Sequence, residues 1–215
     1  MSLPRIDPVL VYAWQAAHSV TRTAPAPVLD RGGYRVDTGS EKEVKRWVFP
    51  ALCEGLYEVA REVSLPRHFL KLCGTSEALR SVTPPRWEIQ PEHYFMASTA
   101  AVSGIGVVPE GYRLEMHRAG PVTLVRILTP HGDLAAHGSA AETADAFVYD
   151  RIETAPEHRR KGLGIAVMHA LGAARVSSAT PQLLVATEDG RALYARLGWQ
   201  VIGALAMAAI PDSAA

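Results

Sequence analysis

Between Thr154 and Gly164 the chain reads Thr154-Ala155-Pro156-Glu157-His158-Arg159-Arg160-Lys161-Gly162-Leu163-Gly164. Arg159, Arg160 and Lys161 meet two glycines just ahead of Ile165, Met168 and Leu171, which have helical spacing. The first amides of a helix lack intrahelical partners, and the helix dipole adds partial positive charge there. Gly162 and Gly164 let a ligand approach the main chain closely, and the three side chains add full charges. The chemistry this suits is a cradle for a diphosphate, built from Arg159 to Ile165 through Leu163. Two common cradles do not match. A dinucleotide fingerprint needs a small residue where Val167 stands, and a P-loop needs Ser or Thr where Leu163 follows Gly162.

About 20 residues further on, Leu183-Leu184-Val185-Ala186-Thr187 reads as a strand. Glu188 to Leu197 then reads as a helix capped by Thr187 and stopped at Gly198. The spacing Arg159-x-x-Gly162-x-Gly164 resembles the coenzyme-A loop of the GNAT superfamily of N-acetyltransferases. Leu193-Tyr194-x-x-x-Gly198-Trp199 resembles the second signature of that family, which usually ends in Phe. The resemblance spans roughly Val122 to Ile210. It implies acetyl-CoA as co-substrate, no metal, and Tyr194 near the thiol sulfur as general acid. It also implies a splayed strand whose backbone, at Ile152, Glu153 and Thr154, bonds the acetyl carbonyl and pantetheine. At the strand-to-helix junction the family often carries Asn. Thr187 stands there and still offers a hydroxyl.

The activity implied is direct attack of a primary amine, most plausibly on a small molecule, on the acetyl thioester. A lysine-like amine is protonated at neutral pH, and exposing its lone pair costs roughly 4–5 kcal/mol. A base or a water chain must take that proton, and the oxyanion and thiolate need a donor and an acid. Strand alternation puts Val148, Asp150, Ile152 and Thr154 on one face, with Tyr149, Arg151 and Glu153 on the other. Well-known relatives carry a catalytic Glu where Val148 stands. Asp150 is then the nearest carboxylate on that face and the candidate base, Glu153 being second choice. A structural ion pair of Asp150 with an arginine is the equal alternative. The valine at 148 also keeps open a non-catalytic acyl-CoA-binding module, and a protein or peptide N-acetyltransferase is a third reading.

Other chemistries find no support. The eight histidines form no HExxH or i,i+4 pair, His131 and His137 read as ordinary surface residues, and no Gly-x-Ser-x-Gly elbow exists. Lys+Arg and Asp+Glu both number 22, a balance ill suited to nucleic acid. No apolar run reaches the length of a membrane span. Cys53 and Cys73 suit neither a disulfide framework nor a zinc site. Together with an N-terminus lacking an export-signal pattern, they point to reduced thiols in a cytoplasm. Homodimer formation is left open.

The elements that must position these residues are clearest in the second half. Tyr112–His117, Val122–Leu128, Leu134–Ala141 and Ala146–Thr154 read as strands, Pro130 to Asp133 supplying a turn. Gly164–Val176 reads as a helix, and Trp199–Ile210 as a closing strand. The fold class is α/β of the α+β kind: a GNAT-like mixed, mostly antiparallel central sheet flanked by helices. Residues 101–215 form the acetyl-CoA-binding catalytic domain, and 1–100 a family-specific region on the acceptor side. There Ala24 to Pro27 reads as a stiff arm and Gly33–Thr38 as a strand. The capping box Ser40-Glu41-Lys42-Glu43 predicts a helix through Trp47 and Val48, and Leu52–Val63 predicts a second. Trp87–Met96 is ambiguous, and Ala100–Val108 reads as buried strand or turn. These early helices are expected to cover the acceptor, with Trp47, Tyr57 and Arg61 as specificity candidates. Trp14, Trp47, Trp87 and Tyr94 read chiefly as core aromatics.

Overall fold

The computed structural model describes residues 6–99 and 107–212. The stretch 100–106, most of the Ala100–Val108 segment, lies outside the described residues. The chain opens with a helix the sequence reading did not anticipate, α1 (Pro8–Thr21). Its signals are nevertheless present. The Asp7 carboxylate accepts from Val9 N at 2.9 Å, and Pro8 sits in the first turn, where a missing N–H costs nothing. Val11, Trp14 and Ala17 then recur at helical spacing and are buried.

Strands β1 (Val28–Asp30), β2 (Gly33–Val36) and β3 (Lys45–Phe49) follow. The helix expected after Ser40 is β3 instead. The capping bond itself forms, with Glu43 N donating to Ser40 Oγ at 3.0 Å, but it closes a turn rather than opening a helix. The residues beyond it, Lys45-Arg46-Trp47-Val48-Phe49, pair with strands on both sides, and tertiary pairing overrides the local signal. The second expected helix is present as α2 (Glu54–Glu62).

Next come β4 (His68–Leu72), the short α3 (Ser76–Arg80), β5 (Glu88–Ile89) and β6 (His93–Ser98), the last two resolving the ambiguous Trp87–Met96 segment into strands. The second half follows the sequence pattern closely. It holds β7 (Arg113–Ala119), β8 (Val122–Leu128), β9 (Leu134–Glu142) and β10 (Phe147–Thr154). After α4 (Leu163–Ala173) come β11 (Gln182–Ala186), α5 (Glu188–Arg196) and β12 (Gln200–Ala209).

The strands form one sheet in the order β1-β2-β3-β4-β12-β6-β11-β10-β9-β8-β7, with β5 on β12. The pairs β3/β4 and β10/β11 are parallel and the other pairings are antiparallel. Helices cover both faces. On one, Leu163, Val167 and Leu171 of α4 pack on Ile127, Phe147 and Tyr149. On the same face Leu56 and Val59 of α2 meet Phe49, Leu70 and Ala206. On the other, Val11, Trp14 and Ala17 of α1 pack on Val48, Phe95, Val148, Leu183 and Leu205. Each fully buried Leu, Val or Phe here contributes about 1.5–3 kcal/mol. Residues 6–99 thus supply six strands of the same sheet that carries the second-half elements. Of the early helices, α1 lies on one face of the sheet and α2 on the opposite face.

Candidate active site

The site begins where two parallel strands part. β10 and β11 pair only at Phe147↔Gln182 and Val148↔Leu183. Beyond these, β10 stays bonded to β9 and β11 to β6, so a wedge opens between the strand ends. The amides of Ile152 to Thr154 that do not point toward β9 face this wedge.

A bulge between Asp150 and Glu153 shifts the register against β9, and Arg151 takes φ +54 there. The simple alternation expected for β10 therefore fails past Asp150. Val148 packs beneath α1, whereas Ile152 packs with Tyr149 and α4, its Cδ1 close over Gly138. One unpaired residue in a bulge switches the side chains beyond it to the other face.

At the end of β10 a single helical turn, Pro156–His158, leads into the basic loop. Arg159 Nε donates to Thr154 O at 3.3 Å, which folds the loop back on the strand. Tyr112 Oη lies 2.9 Å from His158 Nδ1 and accepts from Lys161 Nζ at 3.2 Å. Gly162 is the N-terminal cap of α4 at φ +82, left-handed backbone that favours glycine. A Cβ built there meets nothing within 4 Å. Open space in front of unpartnered amides, flanked by Arg159, Arg160 and Lys161, fits a diphosphate. Gly164 is closer packed, its Cβ position lying 3.3 Å from Leu193 Cδ2.

A cleft of about 930 Å³ runs from this loop through the wedge to the face under α1. Arg159, Gly164, Thr187 and Tyr194 line the loop end, and Trp14, His18, Arg22, Glu43, Lys71 and His93 the other. His137, read from sequence as a surface residue, also borders it. Ile152, Glu153 and Thr154 lie between the two ends. Thr187 caps α5, its hydroxyl accepting from Gly190 N at 3.2 Å. Tyr194 is 7% exposed and packs against Trp199. Burial, with the nearby Asp150 charge, pushes its phenol up to about 12, so it carries its proton at neutral pH.

Asp150 is fully engaged. Arg22 holds it with two bonds, Nε to Oδ2 and Nη2 to Oδ1, each 2.9 Å. Thr21 Oγ1 donates to Oδ2 at 2.9 Å, and His18 Nε2 lies 3.8 Å from Oδ1. Burial alone would raise this carboxyl, but the Arg22 bonds, the surrounding positive charge and the Thr21 hydroxyl outweigh it and hold it far below the usual carboxylate range. These three partners come from α1 and its C-terminal cap, the helix missing from the sequence reading.

The specificity candidates from the first half lie elsewhere. Trp47 is buried under α2 with Nε1 donating to Asp30 at 2.8 Å. Tyr57 sits on α2, and Arg61 pairs with Glu54 in solvent. Trp87 is in the core on the same side, and Tyr94 stacks under Arg191. Of the four aromatics weighed, Trp14 borders the cleft. Among the described residues no group of three His, Cys, Asp or Glu could hold a metal, and no helix is long and apolar enough to cross a membrane.

No protein-family model matches the chain, and no curated protein matches it. Solved structures do. A GCN5-related N-acetyltransferase from Kribbella flavida aligns with a TM-score of 0.63 at 13% identity, over 95% of this chain and 96% of that one. The chain has the GNAT fold. A GCN5-related N-acetyltransferase-like protein from Streptococcus suis shares it, with a TM-score of 0.57 at 13% identity over 82% of this chain and 83% of its own. So does a GCN5-related N-acetyltransferase from Sphaerobacter thermophilus, at 0.56 and 12% over 85% and 78%. At such identities the likeness is one of fold.

Proposed function

We propose that the protein transfers an acetyl group from acetyl-CoA to the primary amine of a small molecule. The observation that carries this reading is the cleft itself. It connects an open glycine-capped helix start to a polar pocket on the far face, through the gap between β10 and β11. A ligand with its diphosphate at Gly162 can send its pantetheine arm along β10, and an acceptor can arrive from under α1. Acetyl-CoA supplies the acetyl thioester.

The chain's own groups then divide the work. Arg159, Arg160, Lys161 and the amides of Leu163, Gly164 and Ile165 hold the diphosphate, and the backbone of Ile152, Glu153 and Thr154 steadies the arm and the carbonyl. The new bond joins the amine nitrogen to the acetyl carbon as the C–S bond breaks. One proton leaves the amine and one reaches the thiolate. Tyr194, protonated and beside the wedge, is the donor to sulfur. Asp150 is better suited to an ion pair than to the base role, because Arg22 grips both its oxygens and its basicity is depressed. It acts as a positioning residue that fixes the end of α1 over the acceptor pocket, and the amine loses its proton to water in the cleft.

The test is amine-dependent release of coenzyme-A thiol, with mass spectrometry locating the acetyl group. Acetylated amine supports transfer. Tight coenzyme-A binding without any transfer favours the non-catalytic binding module instead.

A further inference from the structure

The acceptor end of the cleft holds a cation that, among the described residues, has no ion pair. Lys71 lies on β4 opposite Met207 of β12, half-buried, on the face covered by α1. Its neighbours are already committed. Glu43 is taken by Arg46 at 2.6 Å. Arg46 is also held by Gln15, whose amide oxygen, in the orientation its surroundings require, accepts from Nε at 3.0 Å and Nη2 at 3.1 Å. Asp150 is taken by Arg22. Among the described residues Lys71 Nζ has no ion pair. The ring of His93 faces the same space, its Nδ1 held 2.8 Å from the Pro91 carbonyl.

The charges that act on Lys71 are Arg46 and Arg22 against Glu43 and Asp150; Arg151, 3.9 Å from Asp150, adds a further cation to the same cleft, and His18 is neutral through burial. An unpaired ammonium in a partly desolvated cleft is costly unless a ligand brings an anion. A single ammonium without an ion pair is matched by one carboxylate.

We propose that Lys71 binds a carboxylate on the acceptor, so that the substrate carries both a primary amine and a carboxylate. This rests on the acetyl-transfer reading above and names its substrate class. Three strand steps, β4-β12-β6-β11, separate Lys71 from the wedge, about 14 Å at ordinary strand spacing. The amine and the carboxylate therefore stand several bonds apart, as in an ω-amino acid, not on one carbon. Burial, with Arg46 and Arg22 opposing and Glu43 and Asp150 only partly compensating, brings Lys71 down to about 8. The anchor is then charged at neutral pH and discharges above about pH 8.

The experiment compares 6-aminohexanoate with hexylamine as acceptors, using wild type, Lys71→Met and Lys71→Arg. The expected result is a KM for 6-aminohexanoate at least tenfold below that for hexylamine. Lys71→Met should abolish that advantage through KM with kcat unchanged, and Lys71→Arg should retain it. In wild type the advantage should fade above about pH 8, and in Lys71→Arg it should persist. In parallel, 6-acetamidohexanoate is titrated by calorimetry into the protein with and without saturating coenzyme A. If both amines are acetylated equally well, or Lys71→Met lowers kcat for both alike, the anchor is overturned while acetyl transfer stands. If no amine is acetylated but 6-acetamidohexanoate binds in a Lys71-dependent way, the anchor stands and acetyl transfer falls. Neither turnover nor Lys71-dependent binding overturns both.

Discussion

Arg22 at the end of α1 grips Asp150 at the bulge of β10 with two parallel bonds of 2.9 Å. This fork joins residues 128 positions apart and sets α1 against the strand that borders the wedge. It also decides what Asp150 can do. A carboxylate gripped at both oxygens and with its proton affinity depressed is a poor base and a good brace.

Asp150→Asn is expected to cost stability. Breaking a buried pair by removing one partner costs about 3–5 kcal/mol, and about 2–3 kcal/mol is expected here because the Arg22 side chain is 37% exposed. The pH sign follows from the depressed carboxyl. The pair's contribution is full above the unfolded carboxylate value of about 3.9 and is lost as pH falls toward the lower folded value. Thermal melts should therefore show wild type and Asp150→Asn far apart at neutral pH and converging below about pH 4. Any loss of turnover in Asp150→Asn should not shrink as pH rises. A pH-dependent rescue with unchanged melting would return Asp150 to the base role.

Gly162→Asp should abolish coenzyme-A binding in a folded protein. The position is left-handed, which Asp tolerates better than most residues at a cost of about 1 kcal/mol. The new carboxylate would occupy the open space proposed for the diphosphate. Calorimetry on a variant of native circular dichroism is the check, and unchanged affinity would refute the loop assignment.

Tyr194→Phe keeps the ring against Trp199 and removes the proton donor. We expect kcat to fall by about 10- to 1000-fold with coenzyme-A binding nearly intact. Because the phenol is raised to about 12, it stays protonated through pH 10 and should give no alkaline limb of its own below that. Equal turnover of the two proteins across the pH range would remove the acid role.

Thr187 has a local task of its own as the cap of α5. Thr187→Val should cost about 1 kcal/mol through the lost cap, whereas Thr187→Asn should keep it. If both variants melt alike while coenzyme-A affinity drops only for valine, the hydroxyl serves the ligand rather than the helix.

The second half was legible because its signals are local. Val122–Leu128 is a run of β-formers that became β8 over those residues, and the Thr187 cap with Gly198 beyond Leu197 brackets α5. The glycine-rich junction likewise announces the α4 terminus. The first half misled where local and tertiary signals conflict. Ser40 and Glu43 form their bond, yet β2 and β4 draw the following residues into a strand. α1 was readable from Asp7-Pro8 and the Val11, Trp14, His18 spacing, but nothing in that pattern reveals that its last residues reach Asp150. The bulge at Arg151 was hidden as well, since a non-glycine residue at φ +54 leaves no trace in composition. That bulge is what breaks the face assignment of Ile152. Lys71 looks ordinary in sequence, and its lack of an ion pair among the described residues emerges only once Glu43 and Asp150 are seen to be taken.

The most direct measurement follows acetyl-labelled coenzyme A incubated with the protein and 6-aminohexanoate at pH 7.5, reading thiol release and the mass of the amine together. The account predicts stoichiometric thiol and N-acetylated amine, both lost in Gly162→Asp. Coenzyme A bound at the loop, with the acetyl group remaining on sulfur for this and every other amine offered, would contradict it.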